Sequence, residues 1–405
     1  MKPKLWTKQY ILIVSMTILF FLSMQSLLGG FPIYVANVTQ NPASGGLMTT
    51  SFMLAAVLSR PFIGVMMPRI NMKKWLGISL CFTILTVFFS YFIESLSLLI
   101  IARVLQGIGF GFITTLFATF ATNLIPMSRI GEGIGYFGMS TSIGSTIGPM
   151  IAISMIHSFS FHLVIWVSLI ILSLVLLGSL LVKNTMPPSQ PTNSEAKNSF
   201  IQSAFDRKAF LPCFLVMLFY ITFAGVVNFL DGLGDSTGLG GKTSIFFLVI
   251  AVMLVITRPF SGVIFDRLGH KYLIYPAGLA AIVGLILLAK LENFYTLIIA
   301  GIFYGIAYGV MQPTFQAWAV SQVHPDKKAT ANAMSLSFMD LGQAIGALAL
   351  GQAVGVIGYN SMYGIAALMA AVMLVLYFSI HMVMNVKRKK RATLLNSFQK
   401  VESNS

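Results

Sequence analysis

An all-α membrane protein, with twelve transmembrane helices in two pseudo-symmetric six-helix bundles, is the fold this sequence predicts, and three observations predict it. The first is composition: of 405 residues, 57% are hydrophobic and 9% are charged, a balance that water-soluble domains do not reach. The second is an internal repeat. Arg60-Pro61-Phe62-Ile63-Gly64 returns 198 residues later as Arg258-Pro259-Phe260-Ser261-Gly262. The same shift superposes Arg69 on Arg267, Lys73 on Lys271, Gly107 on Gly305, Gly111 on Gly309, Gly144 on Gly342 and Gly148 on Gly346 without an insertion. A register held that long implies two structurally equivalent halves. The third is the regular spacing of apolar stretches of about 18 to 25 residues, enough to cross a hydrocarbon layer of about 30 Å.

Taken in order, those stretches lie near 10–36, 46–67, 75–93, 97–123, 132–156 and 162–182 in the first half. Six more lie near 210–232, 242–264, 271–289, 294–319, 329–356 and 361–385. The predicted units are a bundle over 1–182, a linker over 183–209, a second bundle over 210–386 and a basic tail over 387–405. The linker carries Pro187, Pro188, Pro191, Ser189, Ser194 and Ser199, residues that break regular structure and solvate the backbone. Lys2, Lys4 and Lys8 precede a first apolar run longer than a leader's core of about 7 to 15 residues, so that run reads as a retained helix.

The net charge of +15 has a topological explanation. Of 26 Lys and Arg, 21 fall in the termini and the loops of one side, only Lys242 and Lys290 fall in loops of the other, and Arg60, Arg103 and Arg258 lie inside spans. Positive loops stay in the cytoplasm, so both termini are expected there, in a protein of the cell membrane. No nucleic-acid partner follows from the charge. The run Lys387 to Arg391 is placed to meet anionic headgroups of the lipid bilayer.

Enzyme chemistry finds little support. Gly241-Lys242-Thr243 lacks the earlier glycine of a phosphate loop, where Ser236 stands instead. Gly107, Gly109 and Gly111 lie within an apolar helix, where close packing explains them. His157, His162, His270, His324 and His381 are scattered, and Cys81 and Cys213 fall in separate spans, so no metal set and no disulfide framework is predicted. No cofactor is expected, and a monomer is.

Three segments carry a resemblance to a known family. Gly262-Val-Ile-Phe-Asp266-Arg267-Leu-Gly269-His270-Lys271 resembles the signature loop of the major facilitator superfamily. Arg103-Val-Leu-Gln106-Gly107-Ile-Gly109 resembles the family's fourth-helix motif. Gly144-Ser-Thr-Ile-Gly148-Pro149 resembles the helix-packing motif in the fifth helix of its proton-driven exporters. The resemblance implies the major facilitator fold and a secondary active transporter that alternates access around a central site. It also implies a cytoplasmic latch made of Gly262, Asp266, Arg267, Gly269 and Lys271, with Arg129 or the amino end of the fifth helix as the partner of Asp266. The first-half copy departs from the pattern at Pro68 and Asn71, and the exporter motif departs at Ile151 and Ala152.

Charges inside the spans single out further residues, because each costs about 2.5 to 3.5 kcal/mol at membrane depth and calls for a partner or a task. Among 11 acidic residues, Asp340 is embedded: it lies eleven residues into its span, about 16 Å deep at 1.5 Å per residue. Related transporters bring its helix against the second, where Arg60 lies at similar depth, so an Asp340/Arg60 pair broken by a proton or a solute is expected. Arg258 has no acidic counterpart, because Ser142 stands where the repeat would put an aspartate; a solute anion or backbone carbonyls are its candidate partners. Arg103, whose repeat partner is Gly301, is a candidate for proton movement, and Asp231 for a second proton carrier. By resemblance, Gln25, Ser26, Gln106, Asn228, Tyr304, Tyr308, Gln312 and Gln316 would line the cavity, the last four as one helical stripe.

The expected function is proton-coupled export of a small amphipathic solute, either a drug-like compound or a metabolite. The alternatives are export of an opine-type metallophore, proton-coupled uptake of a nutrient, and a membrane receptor that transports nothing.

Overall fold

The computed structural model describes residues 4–66, 70–126, 129–183, 205–324 and 327–402. Pro68 and Arg69, and most of the predicted linker, lie outside the described residues. Those described form eleven α-helices and one 3-10 turn: α1 (Lys8–Thr39), α2 (Pro42–Met66), α3 (Met72–Ser90), α4 (Leu96–Leu124), α5 (Ile130–Ser158), α6 (Phe161–Leu180), α7 (Phe210–Ser236), the turn Gly240–Thr243, α8 (Ser244–Leu268), α9 (Lys271–Ala289), α10 (Phe294–Ser321) and α11 (Lys328–Glu402).

Helix starts are written in short polar residues. The side chains of Thr7, Asn71, Ser160 and Asn293 accept from the backbone N–H of Tyr10, Lys74, Leu163 and Thr296, satisfying donors that a helix's first turn leaves orphaned. Gly269, with φ 83°, ends α8 in a conformation that side chains resist.

The described residues form eleven helical tracts, and the last of them joins the two spans expected at the end of the second half. The last tract runs for 75 residues, about 110 Å at 1.5 Å per residue, too long for one crossing. Gly358 (φ 78°, ψ 170°) breaks its helical geometry, between the spans expected near 329–356 and 361–385. The backbone remains helical through 387–402, where a tail was expected. Among the described residues, ten helical segments are long and apolar enough to cross a membrane. The small and polar residues of the first half of α2, Pro42-Ala-Ser-Gly-Gly-Leu-Met-Thr-Thr-Ser, bring it into contact with other helices.

Two large apolar cores form, beside a small one around Cys213, Ala319 and Met334. One gathers Tyr10, Phe20, Phe31, Phe52, Phe110 and Phe117 from α1, α2 and α4; the other gathers Phe219, Phe223, Phe246, Tyr304, Tyr308 and Tyr363 from α7, α8, α10 and α11. Lipid is as apolar as these side chains, so close packing by small residues must hold the helices together. The repeat shows in that packing. Gly111 abuts the Ser59 hydroxyl and its counterpart Gly309 abuts the Thr257 hydroxyl. Gly144 and Gly148 lie against Phe21, Leu22 and Gln25 of α1, while Gly342 and Gly346 lie against Met217, Tyr220 and Ile221 of α7. Pro149 packs on Gly29.

Because successive helices run in opposite directions, the α1–α2 and α7–α8 connections and Gly358 share one end of the molecule, here the connection end. Contacts between the halves gather toward it. A Cβ on Gly46 of α2 would collide with the Ala347 carbonyl of α11, and Thr50 Oγ1 donates to the Ala344 carbonyl at 2.9 Å.

Candidate functional site

Two seams between the halves carry the buried charge. At the first, Arg60 Nη2 of α2 lies 2.7 Å from Asp340 Oδ2 of α11, and each side chain is 12% exposed. The approach is a charge contact with poor hydrogen-bond alignment, for Arg60 Nη1 and Asp340 Oδ2 both lack a hydrogen-bond partner. A buried pair so incompletely satisfied gains less than full Coulomb attraction would suggest.

At the second seam, Arg258 of α8 donates from Nη2 to Ser142 Oγ of α5 and to Gln312 Oε1 of α10, the latter at 2.6 Å. Ser142 also donates to the Gly138 carbonyl at 3.0 Å. Among the described residues Arg258 forms no salt bridge, and its buried Nε has no hydrogen-bond partner. The two seams are repeat equivalents with different chemistry: one arginine meets a carboxylate and the other meets a hydroxyl and an amide.

Tyr220 of α7, which the sequence reading missed, stands between them. Buried at 3% exposure, it is within electrostatic reach of both Arg258 and Asp340, and its ring lies 6.3 Å from that of Tyr308. Nothing in its immediate sequence separates it from the aromatic residues that pack the core around it.

Several expected lining residues lie elsewhere. Gln106 is fully buried and faces α3, donating to Ser90 Oγ at 2.8 Å and the Thr86 carbonyl at 3.3 Å. Arg103 is also fully buried. It donates to Gln106 Oε1 at 2.8 Å and the Met48 carbonyl at 3.2 Å, with its guanidinium 4.2 Å from the Phe52 ring and 4.9 Å from Phe31. Among the described residues it has no carboxylate partner, and its contacts lie inside the first half, with the two rings placed for cation–π attraction. Tyr304 is fully buried, bonded to Thr222 at 2.9 Å and stacked on Phe219. Tyr308 stacks on Phe223 at 4.6 Å, and Gln316 bonds Asn332. The tenth-helix stripe is thus packed except at Gln312, which reaches the Arg258 seam. Gln25 is 5% exposed and lies against Gly148, and Ser26 donates to the Gly148 carbonyl at 3.0 Å.

At the connection end, Asn228 of α7 accepts from Thr49 of α2 and donates to the Ala224 carbonyl at 2.7 Å. Asp231, 4% exposed, lies 2.7 Å from His157 Nε2 of α5, with Asp235 at 3.9 Å from the same nitrogen. The histidines therefore do include one member of a potential ligand set, contrary to the sequence reading. The signal was present as two aspartates four residues apart at a helix end, but their partner is 74 residues away in sequence.

On the opposite side, Gly262, Asp266 and Arg267 are exposed along the end of α8, and Lys271 opens α9. Arg129 precedes α5 as its N-cap. Lys73 donates to the Leu180 carbonyl at 2.7 Å, holding α3 to α6.

Repeat-related helical halves, an apolar exterior and charged seams between the halves are the features of a membrane transporter. The chain belongs to the Major Facilitator Superfamily, whose family model matches residues 13–291 and 255–401. Among curated proteins it is similar to Multidrug resistance protein 3 of Bacillus subtilis (strain 168), 27% identical over 121 residues, which is 30% of this chain and 24% of that protein. MFS transporter L2 of a Phoma species is also 27% identical, over 120 residues, covering 30% of this chain and 20% of that one. The matched region thus spans a quarter or less of these relatives. An uncharacterized MFS-type transporter of Methanocaldococcus jannaschii, MJ1560, is 19% identical over 81% of this chain and 86% of its own. Among solved structures, the nucleoside transporter NupG superposes with a TM-score of 0.73 at 16% identity, over 93% of this chain and 99% of that one. A POT family transporter bound to 5-aminolevulinic acid gives 0.71 at 15% identity, over 91% and 95%. At such identity the structural likeness concerns the fold.

Proposed function

We propose that the chain is a proton-coupled exporter of a small amphipathic solute, working by alternating access between two six-helix bundles. In this reading 1–182 and 210–386 are the bundles. The tract broken at Gly358 supplies the eleventh and twelfth crossings, α2 supplies the second, and both termini face the cytoplasm of a monomer in the cell membrane. The observation that carries the reading is the Arg60–Asp340 contact, 2.7 Å long and strung between α2 and α11. Protonating Asp340 removes its charge and the attraction with it, which frees the two halves to separate there. Asp231, beside His157 at the connection end, is the second proton carrier. The exposed Asp266, with Gly262, Arg267, Gly269, Lys271 and Arg129, forms a latch when the opposite end closes. The similarity to a multidrug resistance protein favours export over uptake.

Solute-dependent proton flux in inside-out vesicles tests this. Flux with cationic drugs or anionic metabolites that is lost in Asp340→Asn upholds coupled export. Solute movement indifferent to the pH gradient sinks it.

One observation favours a particular kind of solute. Arg258 lacks a carboxylate partner among the described residues, while its Ser142 and Gln312 partners are neutral. A buried cation with an unsatisfied donor is most readily completed by an anion, so a solute bearing a carboxylate fits better than a purely cationic drug. An opine-type metallophore is of that class. Competition between carboxylate solutes and their esters in the same vesicles separates the two.

A further inference from the structure

The cluster at the connection end is built from both halves of the molecule. His157 lies in the last turn of α5, whereas Asp231 and Asp235 lie one helical turn apart in the last two turns of α7. Their candidate ligand atoms, one from each residue, all lie within 4.8 Å of one another. We propose that His157, Asp231 and Asp235 form a binding site for a divalent transition-metal ion of the zinc class, which staples α5 to α7.

The geometry needs little adjustment. Two ligand atoms on one tetrahedral zinc ion stand about 3.4 Å apart, given bond lengths near 2.1 Å, a spacing between the two His157 distances. His157 Nε2 is already 2.7 Å from Asp231 Oδ1 and 3.9 Å from Asp235 Oδ1. The Asp235 side chain is 51% exposed and the His157 side chain 30%, so one can rotate and both can be reached from solvent. Asp231, only 4% exposed in its side chain, fixes the position of the site.

The surroundings hold the imidazole in place. A Cβ on Gly241 would meet His157 Cβ and Cγ at 2.8 Å, and Gly240 packs beside both the ring and Asp235. The positive φ of Gly238 and Gly240, 74° and 51°, turns the chain back over the cluster after α7. Two carboxylates at i and i+4 on a helix repel each other. His157 contacts Asp231 closely and leaves Asp235 at the edge. A dication neutralises both. One imidazole with two carboxylates suits zinc and its first-row neighbours, whereas magnesium and calcium prefer all-oxygen sites. Water completes the coordination from the open side.

A metal here binds only while the halves are together at the connection end. At ten times its dissociation constant, it raises the population of that arrangement about 11-fold relative to those in which α5 and α7 have parted. Zinc would therefore restrain the alternation between states.

Titrating zinc chloride into the purified full-length protein in detergent, followed by calorimetry, tests the binding itself without reference to transport. The expected result is one saturable site that magnesium does not occupy, weakened at least about tenfold in both His157→Ala and Asp235→Asn. Asp235→Asn changes a half-exposed side chain, so a folded variant is available even if His157→Ala fails to fold. Absence of a saturable site, or unchanged affinity in Asp235→Asn, overturns the proposal. Because binding is read directly, its failure is distinct from failure of the proton-coupled export reading.

Discussion

Asp340 and Ser142 stand 198 residues apart at equivalent places in the repeat, and each faces the arginine of the opposite half, Arg60 in one case and Arg258 in the other. The molecule thus has one arginine seam closed by charge and one closed by neutral hydrogen bonds.

The charged seam should respond to truncation on either side. Asp340→Ala and Arg60→Ala each leave a buried charge uncompensated, which costs about 3 to 5 kcal/mol. Both should lower the unfolding temperature in detergent and abolish pH-driven flux. The reversed pair, Arg60→Asp with Asp340→Arg, should recover part of both. A double variant no better than the singles would show that the contact is incidental.

The neutral seam offers a test of solute charge. Ser142→Asp places a carboxylate against Arg258 and copies the first seam into the second. Transport of an anionic solute should fall at least about tenfold, equivalent to about 1.4 kcal/mol, while a cationic solute should be unaffected or gain. Equal loss for both would mean that the substitution only disturbs packing.

Close approach of the halves depends on Gly46, because a Cβ there would meet the Ala347 carbonyl. Gly46→Val should push α2 from α11 and disfavour the arrangement described here by about 1 to 3 kcal/mol. The expected readout is faster thiol labelling of a cysteine placed at Ala43, with each half still folded. Asn228→Ala removes the bond to Thr49 and should act in the same direction, by about 0.5 to 1.5 kcal/mol.

Between α8 and α9, His270 accepts or donates a bond with Tyr377 at 2.8 Å and stacks on Trp318 at 4.2 Å. Burial first, then His381 and Lys271, lowers its pKa to about 4, against about 6.5 for a free imidazole. The unfolded chain therefore binds the proton more readily than the folded one. This contribution to stability is whole above about pH 6.5 and is lost as pH falls toward 4. Because His270 is only partly buried, the effect should be modest. In His270→Gln the fall of unfolding temperature across that window should be shallower than in the wild type; an identical slope would remove His270 from the acid response.

Much of the fold was legible because membrane spans announce themselves by length and apolarity, and because the repeat fixed their equivalence. Asp340 was legible for a related reason: a lone carboxylate inside a span is costly, and the resemblance brought Arg60 to it. What periodicity could not supply was the direction in which a polar side chain points on a helix surrounded by others. Gln106 and Arg103 belong to the expected helix but face α2 and α3. Tyr304 follows the helical stripe yet fills the core of its own half. The His157–Asp231 contact joins the ends of two helices from different halves, and no local pattern in either segment encodes that meeting.

At Gly46, which faces the Ala347 carbonyl, the halves meet through backbone. Surfaces of that kind behave as a bearing. Few rotatable side chains are frozen when they meet, so little conformational entropy opposes each closure, and few are released when they part. In the proposed alternation, the balance between the two positions then rests on a handful of polar ties, a scale on which one proton or one bound solute is enough weight to tip the equilibrium.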